Sequence, residues 1–291
     1  MYVRLIKWLL LCATAVLSLL AGVVTPVAAE TTQCTAITKT PTVISRPGHY
    51  CLKQDLRFAP LTGIAIDVRA GNVVIDMNGY YLRGDTSTSN MSVGIMVRNK
   101  PNVRVANGVL THFRKGLFAV ASSGLLVENM NVLNAKEAAI MFERTKASII
   151  RDSRFLNNLV TADGSVNTAV IFTSNSTGTR IINNDISNTG NTIGQGDTAV
   201  GVGVAIYVQF ASGAVLIENN RITASTRAAI VVFDEYFATV QRNTIINTLG
   251  WGVLTGSGTA LVRDNTFVNT EKGSVVGDNV VNGGGNVSAG G

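Results

Sequence analysis

A short unit of hydrophobic and polar positions recurs along the chain: an aliphatic residue, one or two Asn or Asp, and an apolar residue at the end. Copies begin at Ile75, Val105, Val127, Ile150, Ile181, Ile217, Val240, Val262 and Val276. Regular neighbours begin 22 or 23 residues apart, as from Val105 to Val127 and from Val127 to Ile150. Segments this short, divided by turn residues, predict β-strands and no helix of useful length.

A second pattern, a small residue followed by an aliphatic one, recurs in parallel with the first. It comprises Gly63-Ile64, Gly94-Ile95, Gly116-Leu117, Ala139-Ile140, Ala169-Val170, Ala205-Ile206, Ala229-Ile230 and Gly252-Val253. A short β unit with one apolar side cannot bury itself, so like units must stack around a shared interior, with parallel strands at about 4.8 Å per coil. The repeat therefore predicts an all-β solenoid of about nine coils. The leucine pattern of leucine-rich repeats is missing, and the blades of a β-propeller are longer.

Asparagine recurs at one position in consecutive units: Asn184, Asn220, Asn243, Asn265 and Asn279. Because stacked asparagines can hydrogen-bond between coils, we interpret this column as a structural ladder rather than a binding site. Oppositely charged residues one coil apart, such as Glu128 with Arg151 and Arg154 with Asp185, predict ion pairs across the strands.

Three linkers are longer than the others: Tyr80 to Gly94, Phe155 to Ala169, and Ile186 to Ala205. All three fall at the same turn of the coil, so we expect them to project from one edge. On the strand beside that edge, alternation predicts an outward apolar stripe of Met96, Phe118, Met141, Ile171, Tyr207, Val231 and Leu254. Such a stripe is covered by the inserted loops or by a second subunit, or it forms a saccharide platform.

Composition and charge narrow the range of functions. The 291 residues are 46% hydrophobic and 14% charged, which excludes a disordered chain. Two histidines and three cysteines, without CxxC or HExxH spacing, disfavour zinc chemistry, and we predict no transition-metal site. With 24 basic and 18 acidic residues and no Lys or Arg run, the chain offers no nucleic-acid surface.

The first 29 residues have the order of a secretory signal: Arg4 and Lys7, an apolar run from Trp8 to Val24, and small residues before Glu30. We expect cleavage after Ala29, with an uncleaved anchor as the alternative. Cleavage would leave 24 − 2 = 22 basic residues against 18 acidic ones and no membrane span.

Two cysteines, Cys34 and Cys51, remain after the expected cleavage. Because an exported protein meets oxidising conditions, we predict that they form a disulfide. The bond would close the N-terminal end of the solenoid, and we interpret it as structural.

The Asn-rich "V-x-N-x-x-I" units from about Gly63 to Asn282 resemble the right-handed parallel β-helix repeat family, the architecture of pectate-lyase-like and NosD-like proteins. The opening, Pro47-Gly48-His49-Tyr50-Cys51-Leu52, looks like the entry to exported members of that group. The resemblance implies a single-stranded right-handed β-helix. It does not carry over an activity, because the Asp-Pro-His, Gly-His-Gly and Arg-x-Pro-x-x-Arg segments of its epimerases, polygalacturonases and pectate lyases are absent.

Candidate substrate-binding residues are those near the stripe that could stack on a sugar or bind its polar groups: Tyr207, Gln209, Phe210, Asp234, Glu235, Tyr236, Glu143, Arg144 and Arg98. Uronate lyases and epimerases need a cation for the substrate carboxylate and a base for the neighbouring proton. Calcium could supply the cation, with Asp163 and Asp197 joining Glu143 or Asp234 as oxygen ligands. His112 is a further candidate base. The sequence names no catalytic residue.

The function favoured by these residues and by the resemblance is binding or modification of a polysaccharide in a lateral groove, with lyase or epimerase chemistry ahead of hydrolysis. Alternatives are a non-catalytic envelope or adhesion solenoid, with the stripe joining copies as a homo-oligomer, and a NosD-like periplasmic accessory protein. The expected organisation is a signal peptide at 1–29, a cap segment at 30–62, the β-helix at 63–282 and a flexible Gly-rich tail at 283–291. We expect a secreted or periplasmic protein.

Overall fold

The structure is a computed structural model that describes residues 33–158, 169–190, 203–210, 213–234 and 237–290. Every helix or strand element in these ranges is a β-strand. In chain order they are β1(Thr35–Ile37), β2(Thr42–Ile44), β3(Gly48–Leu52), β4(Leu56–Arg57), β5(Ile64–Val68), β6(Val73–Asp76), β7(Tyr81–Arg83), β8(Val93–Arg98), β9(Val103–Thr111), β10(Lys115–Val120), β11(Leu126–Leu133), β12(Ala138–Glu143), β13(Ile149–Arg151), β14(Arg154–Leu156), β15(Ile171–Ser174), β16(Arg180–Ile182), β17(Asp185–Thr189), β18(Val204–Gln209), β19(Val215–Glu218), β20(Arg221–Ser225), β21(Ala228–Phe233), β22(Ala238–Gln241), β23(Thr244–Thr248), β24(Trp251–Thr255), β25(Ala260–Arg263), β26(Thr266–Thr270), β27(Gly273–Val276), β28(Val280–Asn282) and β29(Val287–Ala289).

The strands form two parallel sheets that wrap one interior. A ten-stranded sheet takes one strand from each coil, in the order β2, β5, β8, β10, β12, β15, β18, β21, β24 and β27. A nineteen-stranded sheet contains the remaining strands. In both sheets the strands that pair with each other belong to successive coils, as β12 with β15, β13 with β16 and β14 with β17. The predicted solenoid is therefore confirmed, and the ten-stranded sheet shows ten stacked coils in the described residues.

The interior is built from aliphatic columns that run along the axis. In the ten-stranded sheet, one column comprises Ile95, Leu117, Ile140, Ile171, Ile206, Ile230 and Val253, each paired in register with the next. All seven side chains are at most 1% exposed. Each coil alone would expose these groups to water, so burial of the shared column drives the stacking.

A ladder of buried asparagines stabilises the turns of the nineteen-stranded sheet. Each Oδ1 accepts from the backbone N–H of the residue one coil earlier, as Asn243 does from Asn220 at 2.9 Å. The ladder runs through Asn184, Asn220, Asn243 and Asn265, as predicted, but its last member is Asn286. The prediction of Asn279 was wrong because the final coil is spaced differently; the Asn279 amide instead donates to the Ser257 carbonyl at 3.2 Å.

Strands near both ends of the described residues contribute to the solenoid. Strands β1–β4 lie in the segment expected to be a cap, and β2 pairs in register with β5. Cys34 and Cys51 form the predicted disulfide, with a Cα–Cα distance of 5.8 Å. At the other end, β29 pairs with β26, which brings Ser288 opposite the core residue Phe267 and extends the β-helix into the segment expected to be a loose tail.

Candidate functional site

The outward face of the ten-stranded sheet has a second apolar cluster, separate from the interior. It contains Met141, Phe172, Tyr207 and Val231, packed with small residues of the same strands. Register pairs Met141 with Phe172 and Phe172 with Tyr207. Ile171 therefore points inward, and its prediction as an outward residue was wrong. In that coil Val170, and not Ala169, occupies the position of the small residue, so the alignment of this coil by sequence alone was wrong by one residue.

Tyr207 is enclosed within this cluster. Its side chain is 1% exposed, and its ring meets Phe172 edge to face at a centroid distance of 5.5 Å. Burial raises the pKa of Tyr207 to about 12, with the charge of Asp234 adding to the rise and that of Arg227 opposing it. The ring therefore packs the outward cluster as a neutral phenol, and it has no open face on which a sugar could stack.

Beside the cluster lies a second outward row, formed by the last residues of the strands. Register connects Arg98 to Val120, Val120 to Glu143, Glu143 to Ser174, Ser174 to Gln209 and Gln209 to Phe233. Three of the residues predicted from the sequence, Arg98, Glu143 and Gln209, thus occupy one row, two coils apart from each other. Stacking sets each coil at about 4.8 Å, so each interval is about 10 Å.

The next residue of each coil turns the chain away from the sheet in a left-handed conformation. Arg144, Phe210 and Asp234 occupy this position with φ of 51°, 54° and 52°, and Asn99, Ala121 and Asn175 are their equivalents in other coils. The Phe210 amide donates to the Phe233 carbonyl, which fixes the register of this turn. Phe210 is 46% exposed, and the Asp234 carboxylate accepts a hydrogen bond from the Ser257 hydroxyl.

Charged side chains in these two rows make no ion pair with other described residues, unlike most of the carboxylates that the structure describes. Glu128, Glu137, Asp185 and Glu218, for example, each contact an arginine. Arg98 and Arg144 are exposed, Glu143 is half-buried, and none of the three has such a partner. Each of the two arginines is followed two residues later by a lysine of the same turn, Lys100 after Arg98 and Lys146 after Arg144. Two turns, two coils apart, therefore each have two cations.

Gln209 is the buried polar member of the outward row. Its side chain is 7% exposed, and its Oε1 has no hydrogen-bond partner within the described part of the chain. A buried oxygen without a donor costs free energy, so a ligand hydroxyl that reached it would be bound favourably.

Four of the predicted site residues lie outside the described residues: Glu235, Tyr236, Asp163 and Asp197. Within the described ranges, no group of three His, Cys, Asp or Glu side chains is arranged to hold a metal ion. Phe233 and Ser257 were missed; Phe233 directly precedes Asp234, but only the register reveals that it faces outward beside Gln209.

Comparison with known proteins identifies the class of this molecule. The family model described as "Right handed beta helix region" matches residues 162–290, and the one described as "Periplasmic copper-binding protein (NosD)" matches residues 35–201. The parallel coils and these matches define a right-handed parallel β-helix protein. The chain belongs to the NosD family. No curated protein matches the sequence.

Solved structures with a similar fold include several proteins of polysaccharide metabolism. An alginate lyase from Paenibacillus sp. str. FPU-7 is 14% identical, over 75% of this chain and 92% of its own, with a TM-score of 0.42. The pectate lyase Pel9A is 17% identical, over 84% and 71%, with a TM-score of 0.47. A tailspike protein mutant of E. coli bacteriophage HK620, in complex with a pentasaccharide, is 11% identical, over 87% and 56%, with a TM-score of 0.44. The chain thus spans little more than half of the tailspike protein.

The donor atoms of this chain do not fit the copper ion in the family's description. Copper sites use imidazole, thiolate and thioether ligands, and the whole sequence has only His49 and His112 as histidines. Cys34 and Cys51 are joined in the disulfide. Of the methionines in the described residues, Met77, Met96, Met130 and Met141 are buried and only Met91 is exposed, so they form no exposed group of thioethers. The described part of the chain also has no helix long and apolar enough to cross a membrane.

Proposed function

We propose that the protein binds an acidic polysaccharide along the outward face of the ten-stranded sheet. The observation that carries this proposal is a group of cations at equivalent turns two coils apart that have no carboxylate partner among the described residues: Arg98, Lys100, Arg144 and Lys146. A cation without a protein partner is free to bind an anion of the ligand. Arginine suits a planar carboxylate because its guanidinium donates two parallel hydrogen bonds.

The spacing of these cations favours a polymer over a single sugar. Arg98 and Arg144 are separated by the neutral coil of Val120 and Ala121, so positive charge recurs at about 10 Å along the axis. A ligand with carboxylates at regular intervals would meet both turns at once. Two linked contacts bind more tightly than either contact alone because the second forms at high effective concentration.

Further along the same face, the surface becomes aromatic. Phe210 and Phe233 are 46% and 36% exposed, and the amide of Phe210 bonds to the carbonyl of Phe233. Aromatic faces pack against the C–H surface of sugar rings, so these two exposed rings supply the stacking surface in this proposal. Phe210, itself one of the aromatic residues predicted from the sequence to stack on a sugar, keeps that role in this proposal, whereas the buried Tyr207 does not.

Binding is tested by measuring the affinity for polygalacturonate, alginate and neutral dextran at low and high salt. The double variant R98Q/R144Q should lower the affinity for the acidic polymers about tenfold, since each exposed ion pair contributes up to about 1 kcal/mol. R180Q, an exposed arginine of β16 on the other sheet, is the matched control and should bind normally. Equal binding of dextran, or no loss in R98Q/R144Q, would contradict the proposal.

Catalysis is a finer part of this proposal. In uronate β-elimination or epimerisation, a cation neutralises the carboxylate and a base removes the adjacent C5 proton; elimination then breaks the bond to the C4 oxygen. Glu143 is a half-buried carboxylate beside Arg144, suited to act as that base. We expect new absorbance from unsaturated ends with the wild type and none with E143Q, which should still bind. Turnover that survives in E143Q and in D234N would exclude both residues.

Export is the third part of the proposal. The disulfide and the family's periplasmic description support a protein that is secreted or periplasmic. Fractionation of the native host, combined with mass determination of the N-terminus, tests this. A chain that begins at Glu30 in the periplasm or medium is expected. An intact N-terminus in the cytoplasm would contradict export.

A further inference from the structure

His112 departs from the pattern of the turn that leads from the nineteen-stranded sheet into the ten-stranded sheet. One residue of each coil is left-handed there, and it is asparagine in five coils: Asn134, Asn157, Asn188, Asn247 and Asn269, with φ of 53° to 55°. Asparagine tolerates this conformation well. Some of these amides also bond across coils, as Asn188 does to Asn157 at 3.1 Å. His112, with φ of 59°, replaces the common residue with a titratable one.

Hydrogen bonds from both neighbouring coils fix the position of His112. Its backbone N–H donates to the Leu133 carbonyl at 3.2 Å, and its carbonyl accepts from the Asn90 side chain at 2.8 Å. The ring Nδ1 is 2.7 Å from the Thr111 hydroxyl. Nε2 makes no hydrogen bond within the described part of the chain, so it is the ring atom available to a ligand.

Cations flank this imidazole on successive coils. Arg83 pairs in register with Thr111 on one side. On the other side, the Lys136 amide donates to the Phe113 carbonyl at 3.1 Å. The coils are stacked at about 4.8 Å, so Arg83, His112 and Lys136 converge on one corner of the solenoid.

The charges around this corner are mainly positive. Its cations are Arg57, Arg83, Arg114, Lys115 and Lys136, and its anions are Asp85, 3.6 Å from Arg57, and Glu137, 3.1 Å from Lys115 and in contact with Arg114. Five cations against two carboxylates leave an excess of three positive charges. Burial lowers the pKa of His112, and the charges of Arg83 and Lys136 lower it further. Burial also lowers the pKa of Lys136, while Asp85 opposes that shift.

We propose that His112 and Arg83 bind one oxyanion at this positively charged corner, the chemistry shared by a carboxylate, a sulfate and a phosphate group. The bound anion accepts a hydrogen bond from Nε2 of protonated His112 and ion pairs with Arg83. The buried ammonium group of Lys136 does not contact the anion, but its positive charge adds to the attraction. Anion binding is therefore coupled to proton uptake and strengthens as the pH falls. The site lies before β10, whereas the polysaccharide rows begin at the ends of the same set of strands, so it is separate from the proposed groove.

The experiment follows the two histidines of the full chain by long-range 1H–15N NMR during pH titrations. Inorganic phosphate, sulfate and acetate are the probes, with chloride at equal ionic strength as the reference. We expect a saturating oxyanion to raise the pKa of His112 by about one unit and to leave His49, the internal control, unchanged. A pKa of His112 that stays constant, or that moves together with that of His49, would overturn the proposal.

Variants separate this site from the groove. R83Q and K136Q should each reduce the anion-induced shift of His112, because R83Q removes the ion pair with the anion and K136Q removes a nearby positive charge. R98Q/R144Q should leave the shift unchanged while weakening polysaccharide binding. A full shift in both R83Q and K136Q would contradict the proposed site. A shift with acetate and galacturonate but not with the inorganic ions identifies a carboxylate ligand; the reverse identifies an inorganic or ester oxyanion.

Discussion

Glu128 shows how single residues of adjacent coils stabilise each other. Its side chain is 6% exposed and lies between Arg104 of the preceding coil and Arg151 of the following one, with Arg151 Nε 2.8 Å from Oε2. Burial raises the pKa of Glu128, but the hydrogen bonds and charges of Arg104 and Arg151 outweigh it, so the net pKa lies below the usual value. The pair with Arg151 confirms the sequence-based prediction.

Glu128→Gln should therefore destabilise the fold. The amide keeps the shape but loses two charge-assisted contacts, and we expect the free energy of unfolding to fall by about 2 kcal/mol, the lower part of the range because both arginines are partly exposed. Urea denaturation near neutral pH measures this. The exposed Glu271→Gln is the control and should change stability little. Equal stability of both variants would show that the Glu128 contacts contribute nothing.

The same pair gives a pH dependence. Glu128 has a lowered pKa in the folded state, so its stabilisation is complete above the unfolded pKa and is lost as the pH falls through the folded pKa. The stability difference between wild type and Glu128→Gln should shrink below about pH 4. Urea midpoints at several acidic pH values test this, and a constant difference would contradict it.

His112 gives a second pH dependence of stability, at a higher pH than that of Glu128. Its pKa is lowered in the folded state, so the unfolded chain binds more protons near pH 6, and stability falls as the pH drops through the unfolded pKa of about 6.5. In oxyanion-free buffer, His112→Asn should lose part of this slope between about pH 7.5 and 5.5. His49→Asn is the control and should keep it. The turn itself should tolerate the change because five other coils have Asn there.

At the scale of elements, the asparagine ladder joins the turns of successive coils. Asn243 donates to the Ile217 carbonyl at 3.0 Å, and its Oδ1 accepts from both the backbone and the side chain of Asn220. The residue is 1% exposed, so water cannot replace these bonds. Removing one amide would leave buried polar groups without partners in two coils.

We predict that Asn243→Ala lowers the free energy of unfolding by about 3 kcal/mol, because it leaves more than one buried group unsatisfied. Asn279→Ala is the informative control, since the sequence placed Asn279 in the ladder and the structure does not. Its exposed side chain makes one bond, so the loss should be under about 1 kcal/mol. Thermal and urea unfolding measure both. Equal losses would contradict the ladder's observed membership.

The repeat made the strands, the inward columns and most of the ladder predictable, because each rests on a local pattern of side chains. Two errors share one cause: Ile171 and Asn279 follow segments whose lengths differ from the repeat, and counting along the chain shifts there by one or more positions. Register between coils depends on backbone pairing, such as Ile140 with Ile171, which no single unit encodes.

For the candidate site, the residues near the outward stripe were predictable from the sequence, but their accessibility was not. Alternation along a strand is local, so it predicted the stripe near which Arg98, Glu143 and Gln209 were selected; their place in one outward row follows only from the register between coils. The burial of Tyr207 depends on side chains from neighbouring coils, among them Phe172, which the shifted count had assigned to the wrong face. Which charges lack partners likewise depends on contacts between coils.

At the scale of the whole molecule, the disulfide acts on one end of a chain of coils. Cys34 and Cys51 are 17 residues apart, so on the loop-entropy account the bond stabilises the folded state by about 3 kcal/mol. Because coils contact mainly their neighbours, a reduced bond should destabilise the first coils most. Hydrogen exchange of a C34S/C51S variant should show faster exchange in β1–β6 and unchanged protection in β22–β26. Uniformly faster exchange would contradict this.

Arg98 and Arg144 lie two coils apart, so the number of coils between them sets the distance between these two positive charges. Duplicating the neutral coil between them would leave each strand with the same kind of neighbours while moving the two arginines one coil further apart, by about 4.8 Å. Ligand periodicity could thus be altered by copying a coil, without redesigning any side chain that meets the ligand. Under the proposed polysaccharide binding, gain or loss of a single repeat between the two arginines would change the ligand specificity.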